Sequence, residues 1–236
     1  MSAEAETEAN ETRRVAIVAA RDEADRIGDT VRALRDALPG IEVWVADDGS
    51  TDGTREAAIT AGATVVRRNK PHGKGGNMTA AAEAAARDLP GDATVLLCDG
   101  DLGATAANLV PLIDAVEAGT CDLAVAGFER KVGGGLGLAK GYARWAIRRL
   151  SGYEADSPIS GQRAMTAAVL RDVLPFAPRY GMEIGMTVDA VRAGHTVAEI
   201  NLPLEHRATG KTLGGFLHRG RQLRDFLGVH ASRRRG

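Results

Sequence analysis

Two aspartates one residue apart, Asp99 and Asp101, follow directly on an apolar run, residues 95–98, that contains β-branched Val95. Such a run predicts a buried strand, and open α/β sheets bind their ligands beyond the carboxyl ends of strands. Two carboxylates in that position repel each other unless a cation lies between them. A hard divalent ion such as Mg²⁺ or Mn²⁺ takes oxygen ligands and commonly bridges protein carboxylates to substrate phosphates. The first hypothesis is therefore a site for a metal ion and a diphosphate.

Two further side chains suit the same chemistry. Asp48 follows another predicted strand, and Lys74 lies in a glycine-rich loop. If the strands before Asp48 and Asp99 are near neighbours, the carboxylates meet at one edge of the sheet, where Asp48 can accept hydrogen bonds from a base or a ribose. Lys74 can add positive charge beside the phosphates. The alternatives are helix capping for Asp48, a solvated lysine at position 74, and a solvated acidic turn for Asp99 and Asp101.

The elements that must position these side chains alternate between strand and helix. Strands are predicted at residues 14–20, 41–46, 64–67, 93–98, 123–126 and 196–200. Helices are predicted at residues 22–38, between each later pair of strands, at 138–150 and at 183–193, and residues 213–227 form a basic amphipathic helix. This alternation implies right-handed crossovers. The predicted fold class is α/β, with a mainly parallel central sheet flanked by helices.

Composition describes an ordinary globular protein, with 44% hydrophobic residues, 26% charged residues and a formal net charge of −1. The near-neutral balance gives no case for binding nucleic acid. We predict a disordered tail at residues 1–12, one domain at 13–228 and a basic tail at 229–236. No apolar run approaches about 18 residues, and Cys98 and Cys121 are too few for a disulfide framework. A cytoplasmic protein with reduced thiols is expected.

At this point the motifs become recognisable. Four stretches, residues 15–23, 43–54, 73–76 and 99–102, resemble in order and spacing the nucleotide-sugar half of family 2 glycosyltransferases with the GT-A fold. The second half is similar to the branch that transfers sugars to dolichyl and polyprenyl phosphates. There, residues 160–163 stand for a Ser-Gly-Phe-Arg motif and residues 207–211 for an Arg-x-x-Gly-x-Ser-Lys loop. The resemblance implies a nucleotide-sugar half at 13–127 and an acceptor half at 128–228.

The resemblance also implies roles for individual residues. Those implied at the nucleotide sugar are Ala19, Arg21, Glu23, Ala46, Asp48, Lys74, Asp99 and Gly100, with Arg207 and Lys211 closing over the phosphates on a mobile loop. The metal ligands implied for Mg²⁺ or Mn²⁺ are Asp99, Asp101 and His206, where the alternative for His206 is a loop histidine. Arg130 matches an arginine that contacts the donor or the acceptor phosphate. The residues implied at the acceptor are Lys140, Arg144 and Arg163.

The implied reaction is metal-dependent, inverting transfer of a sugar from a UDP- or GDP-linked donor by direct displacement. If the acceptor is a polyprenyl phosphate at the membrane surface, its oxygen is already anionic and no base is needed. A soluble hydroxyl acceptor is the alternative, and it requires a base. Asp156 and Glu183 are the candidate carboxylates for that role. The alternatives are a turn cap for Asp156 and a favourable helix N-terminal charge for Glu183.

Other classes of protein remain in competition. A phosphatase of the haloacid dehalogenase type also uses an Asp-x-Asp motif, although it normally ends the first strand of the domain, whereas here the motif ends about the fourth. A nucleotidyltransferase requires a glycine-rich loop after the first strand, where residues 20–23 read Ala-Arg-Asp-Glu. A non-enzymatic protein that binds a membrane surface through the helix at 213–227 and the arginines at 233–235 is the third alternative.

Overall fold

A single sheet organises the computed structural model, which describes residues 12–68, 73–128, 138–178 and 181–203. Its seven strands are β1 Arg14–Ala20, β2 Glu42–Asp47, β3 Thr64–Arg67, β4 Thr94–Asp99, β5 Leu123–Phe128, β6 Arg163–Thr166 and β7 Val197–Leu202. They lie in the order β3-β2-β1-β4-β6-β5-β7. Strand β6 is antiparallel to both β4 and β5, and the other pairs are parallel. The predicted mainly parallel α/β fold is confirmed.

Helices cover both faces of this sheet. They are α1 Ile27–Ala37, α2 Thr54–Thr60, α3 Lys74–Ala85, α4 Val110–Glu117, α5 Leu138–Ser151, α6 Ala167–Val173 and α7 Met182–Arg192, with 3-10 turns at Ala86–Asp88 and Gly103–Leu109. Most of these agree with the sequence prediction to within a few residues. The sequence analysis does not predict β6 or α6, because β6 reads Arg-Ala-Met-Thr, with one β-branched residue, and α6 follows it directly.

Helix α1 begins five residues later than predicted, at Ile27 instead of residue 22. The backbone before it is held in a different conformation, in which Asp22 has φ 54°. Side chains of the β2–α2 loop accept hydrogen bonds from three backbone N–H groups there: Ser50 Oγ from Asp22, Thr54 Oγ1 from Glu23 and Asp52 Oδ2 from Ala24. These bonds replace the first helical turn and fasten the loop after β1 to the loop after β2.

The core is split by the sheet because successive side chains of a strand point to opposite faces. Ala16 and Val18 of β1 pack with α1, α2 and α4, whereas Val15 and Ile17 pack with α3, α6 and α7. All four side chains are fully buried. Burial on both faces explains why β1 reads as a continuous apolar run. The layers place the carboxyl ends of β1, β2 and β4 at one edge of the sheet.

Several sequence predictions fall outside the described residues. They include most of the predicted N-terminal tail, the helix predicted at 213–227 and the basic tail at 229–236. Cys98 and Cys121 are buried free thiols, as predicted. Among the helices that the structure describes, none is both long and apolar enough to cross a membrane.

Candidate active site

The carboxyl ends of β2 and β4 lie on either side of the carboxyl end of β1. The backbone N–H of Asp48 donates to the carbonyl oxygen of Ala20 at 3.0 Å, and the N–H of Gly100 donates to that of Ala19 at 2.8 Å. Two strand spacings, about 10 Å, therefore separate the backbones of the two acidic turns. Carboxylates 51 positions apart or more in the chain are thus brought to one sheet edge, as the sequence predicts.

Residues in α1 and directly before it hold the turn formed by residues 99–101. The hydroxyl of Thr30 donates to the carbonyl oxygen of Gly100 and accepts from the N–H of Gly103, both at 2.8 Å. Arg26 donates from its guanidinium to the carbonyl oxygen of Asp101 at 3.0 Å. A Cβ added at Gly100 would stand 3.0 Å from the carbonyl oxygen of Ala19. An added side chain would crowd this contact, because the turn lies directly against β1.

Lys74, at the first position of α3, joins the turn to a second carboxylate. Its Nζ lies 2.7 Å from Oδ1 of Asp99 and 3.0 Å from Oε1 of Glu183, at the start of α7. The Lys74 side chain is 21% exposed and that of Glu183 only 8%. Burial alone would lower the pKa of Lys74, but the charges of Asp99 and Glu183 outweigh it and raise that pKa above its ordinary value. The lysine is therefore a permanent cation at neutral pH.

The loop before β6 closes over this ion pair. Gln162 donates from Nε2 to Oδ2 of Asp99 at 2.8 Å. A Cβ added at Gly161 would stand 2.5 Å from Nζ of Lys74 and 2.9 Å from Oδ2 of Asp99. Both oxygens of Asp99 thus have a donor from a different element, Lys74 of α3 and Gln162 of the loop before β6.

Asp101 is in a different situation from Asp99. Its Oδ1 atom is buried and accepts no hydrogen bond from any residue that the structure describes. A buried carboxylate oxygen without a donor is costly, and a divalent cation would satisfy it. No group of three His, Cys, Asp or Glu side chains within the described ranges is arranged to hold a metal ion. The site fits an ion whose coordination a second molecule completes.

The residues implied at the nucleoside lie around Asp48. This aspartate is 6% exposed, and its Oδ2 accepts from the N–H of Gly73 at 3.2 Å. The guanidinium of Arg21 lies 3.9 Å from the same oxygen and is largely exposed. Ala19 and Glu23 are half-buried beside them. Ala46 is 1% exposed and packs in the core with α3. Contrary to the prediction, its side chain therefore does not line the nucleoside site.

The prediction that Arg163 binds the acceptor needs correction. The side chain is 1% exposed and donates to the carbonyl oxygen of Ser160 and the hydroxyl of Thr187, both at 2.9 Å. Burial lowers the pKa of Arg163 to about 10, against the opposing effect of Glu183 and Glu199. Arg163 therefore supports the loop before β6 from within the protein, since an acceptor cannot reach it.

Two other predicted residues bind each other. Arg144 of α5 donates to the carbonyl oxygens of Ala155 and Asp156 at 3.0 Å and to Oδ1 of Asp156 at 2.9 Å. The Asp156 side chain is 91% exposed, and its backbone N–H donates to Glu199 of β7. The pair links α5 to the loop that follows it, and the roles of Arg144 at the acceptor and of Asp156 as a base stay predictions. Lys140 is exposed on the same helix.

Four predicted site residues lie outside the described ranges: Arg130, His206, Arg207 and Lys211. Four residues to which the sequence analysis gives no individual role contact the acidic turn or its ion pair: Arg26, Thr30, Gly161 and Gln162. Thr30 carries a weak signal in the sequence, as a polar residue on the apolar face of α1, where it is fully buried. Gly161 and Gln162 lie in the motif at residues 160–163, but only the tertiary structure shows that they lie against Asp99.

Comparison with known proteins supports one class. The model of glycosyl transferase family 2 matches residues 15–173. Glucosyl-3-phosphoglycerate synthase of Mycolicibacterium paratuberculosis is 34% identical over 219 residues, which cover 81% of this chain and 64% of that protein. Undecaprenyl-phosphate mannosyltransferase of Micrococcus luteus is 28% identical over 212 residues, which cover 83% of this chain and 85% of that protein.

A solved structure gives the same answer. The crystal structure of glucosyl-3-phosphoglycerate synthase from Mycobacterium tuberculosis in complex with Mn²⁺, UDP and glucosyl-3-phosphoglycerate superposes with a TM-score of 0.74 at 25% identity, covering 95% of this chain and 80% of that chain. The sheet, with an acidic turn after β4, defines a GT-A fold of the glycosyltransferase class. Within that class, the chain belongs to glycosyl transferase family 2. It spans 64% of the length of the Mycolicibacterium relative.

Proposed function

We propose that this protein is a metal-dependent glycosyltransferase that transfers a sugar from a nucleoside-diphosphate sugar to a small phosphorylated hydroxy acid. The observation that carries the proposal is that Asp48 and the Asp99–Asp101 turn lie on either side of β1, at the same edge of the sheet. The carboxylate of Asp48 is suited to a base or a ribose, and the Asp99–Asp101 turn is suited to a metal-bound diphosphate. This edge of the sheet therefore has the layout of a nucleotide-sugar site.

Each described side chain has a task in this proposal. Asp48 accepts hydrogen bonds from the nucleoside, beside the exposed guanidinium of Arg21. Lys74 keeps a positive charge near the diphosphate, and Glu183 and Asp99 hold that lysine in place. The positive charge favours departure of the nucleoside diphosphate, because negative charge develops on it as its bond to the sugar breaks.

Asp101 is the residue that would hold a divalent ion, since its buried Oδ1 has no donor among the described residues. A bound Mg²⁺ or Mn²⁺ supplies Lewis-acid stabilisation of the diphosphate. The roles of His206 as a further ligand, of Arg207 and Lys211 over the phosphates and of Arg130 at the donor or acceptor are part of the same proposal. They rest on the family motifs quoted above.

The donor and acceptor are proposed from the relatives. The Mycobacterium tuberculosis enzyme is described with Mn²⁺, UDP-glucose and phosphoglyceric acid in one complex. A relative with the same activity is 34% identical to this chain. We therefore propose UDP-glucose as the first donor to test and 3-phosphoglycerate as the first acceptor. Its attacking group is a hydroxyl, so a base is required.

A polyprenyl phosphate at a membrane surface is the second candidate acceptor. The observation in its favour is a relative, since the undecaprenyl-phosphate mannosyltransferase of Micrococcus luteus is 28% identical to this chain over 212 residues. The exposed face of α5 carries the cationic residues Lys140, Arg148 and Arg149. Such a surface suits an anionic acceptor of either kind.

The test is a matrix of donors and acceptors read by mass spectrometry. UDP-glucose and GDP-mannose are each incubated with 3-phosphoglycerate or undecaprenyl phosphate, with Mn²⁺ or with EDTA. The proposal expects a glycosylated phosphoglycerate that needs the metal and is absent with Asp101→Asn. Product formed only with undecaprenyl phosphate would identify that lipid, instead of 3-phosphoglycerate, as the acceptor. No transfer from any donor would refute the enzyme assignment. The anomeric configuration of the product tests the predicted inversion.

A further inference from the structure

The two aspartates of the acidic turn differ in what already binds them. Oδ1 of Asp99 has the ammonium group of Lys74 at 2.7 Å, and its Oδ2 has the amide of Gln162 at 2.8 Å. Gln162 is 1% exposed, so its amide is held in one place by the surrounding protein. Asp99 is therefore committed to two protein donors before any ligand arrives.

Asp101 has the opposite character. Its backbone carbonyl is fixed by Arg26 and the turn is fixed by Thr30, yet its Oδ1 receives no donor from the described residues. The turn is rigid while one carboxylate oxygen remains unsatisfied. An incoming cation would meet Asp101 first.

We infer that Gln162 is a positioning residue that, together with Lys74, keeps Asp99 away from the divalent ion, so that Asp101 alone presents a carboxylate to the ion until the nucleotide binds. The inference rests on the proposed function, because it requires a nucleoside diphosphate to supply the missing oxygen ligands. A single carboxylate holds Mn²⁺ or Mg²⁺ weakly, and substrate phosphates usually complete such sites. The ion and the nucleotide therefore bind cooperatively.

This arrangement gives Gln162 a signature that a merely structural residue lacks. Removing its amide takes this donor away from Oδ2 of Asp99, two positions before Asp101 in the chain. A second carboxylate then becomes available to the ion, so that Mn²⁺ binds more tightly in the absence of nucleotide. A defect in folding would weaken Mn²⁺ binding instead.

The test measures free Mn²⁺ by electron paramagnetic resonance during titrations of wild-type protein and Gln162→Met, with and without UDP. In wild type, UDP is expected to tighten Mn²⁺ binding at least tenfold, and Mn²⁺ must tighten UDP binding by the same factor. In Gln162→Met, Mn²⁺ binding without UDP is expected to tighten severalfold, and the factor gained from UDP to shrink. If Gln162→Met does not fold by circular dichroism, Gln162→Asn, whose amide is one methylene too short to reach Asp99, carries the same expectation.

Ser160→Ala is the matched control, because Ser160 is 3% exposed in the same loop and its hydroxyl has no partner among the described residues. It is expected to match wild type in both titrations. Unchanged or weaker nucleotide-free Mn²⁺ binding in the folded Gln162 variant would overturn the role of Gln162, even with normal coupling in wild type. A wild-type protein that binds neither UDP nor Mn²⁺ would instead refute the proposed function.

Discussion

Gly161 lies directly against the carboxylate of Asp99, so that an added Cβ would stand 2.9 Å from its Oδ2. The same Cβ would stand 2.5 Å from Nζ of Lys74. Contacts this short force a neighbour to move, and the atoms concerned are the ends of side chains. The glycine therefore gives the ion pair room, and this relationship can be tested without disturbing the sheet.

Gly161→Ala is expected to displace Lys74 from Asp99 while leaving the fold intact. Loss of one charge-assisted contact near the diphosphate should weaken UDP binding at saturating Mn²⁺ about tenfold. Calorimetric titration measures the affinity, and a urea midpoint measures stability. Gly91→Ala is the control, since nothing lies within 4 Å of an added Cβ there. Normal UDP affinity in Gly161→Ala would show that Lys74 need not remain beside Asp99.

Thr30→Val is expected to destabilise the protein and to loosen the acidic turn. The hydroxyl bonds the carbonyl of Gly100 and the N–H of Gly103, and valine leaves both groups unsatisfied in a buried place. The expected cost is about 1–3 kcal/mol of unfolding free energy, read from urea denaturation. Thr30→Ser retains the hydroxyl and should retain most of the Mn²⁺-dependent UDP binding. Equal loss of UDP binding in both variants would contradict the role assigned to the hydroxyl.

Glu183→Gln separates two roles for this carboxylate. Because its Oε1 is held 3.0 Å from the ammonium group of Lys74, we expect Glu183 to act as a counterion instead of the predicted base. The variant should therefore lower the rate of transfer and weaken donor binding, while the shape of the pH–rate profile stays the same. Disappearance of the acidic limb of that profile, with donor affinity unchanged, would instead identify Glu183 as the base.

The free energy of unfolding at acidic pH depends in part on Asp122, which joins the start of β5 to the start of β7. Hydrogen bonds from the hydroxyl and the N–H of Thr196 lower the pKa of Asp122 below its ordinary value. The stabilisation is therefore present above the unfolded pKa of about 3.9 and is lost as pH falls through the lower folded pKa.

Asp122→Ala should consequently be less stable than wild type at pH 7 by at most about 1 kcal/mol, since the carboxylate is partly exposed. The difference should hold down to about pH 4 and narrow at pH 3. Urea midpoints at pH 7, 5 and 3 provide the comparison. A difference that is still full at pH 3 would show that the ionised carboxylate is not its source.

Local patterns predicted much of the central sheet. Strands β1 and β3 have the predicted ends, because their residues form short runs rich in β-branched side chains. Strand alternation predicted that Asp48 and Asp99 lie at one edge of the sheet if their strands are near neighbours, and β1 alone separates β2 from β4. These inferences needed only the pattern of apolar residues and the rule that parallel strands end at the same edge of a sheet.

The acceptor side was harder to predict, because it depends on contacts distant in sequence. Gln162 reaches Asp99 across 63 positions, by way of a four-residue strand that inserts between β4 and β5. Arg163 was misassigned because arginine is seldom fully buried, and only the tertiary structure reveals its partners Ser160 and Thr187. Buried polar contacts between distant elements carry no periodic signal in the sequence.

The central claim is that a divalent ion held by Asp101 binds the diphosphate of the donor. Calorimetric titration of UDP, with and without Mn²⁺, tests it in wild type, in Asp101→Asn and in Asp36→Asn, an exposed aspartate of α1 as control. Mn²⁺ is expected to tighten UDP binding at least tenfold in wild type and in the control, and Asp101→Asn is expected to lose this gain. An Asp101→Asn protein that folds and retains the full effect of Mn²⁺ would contradict it.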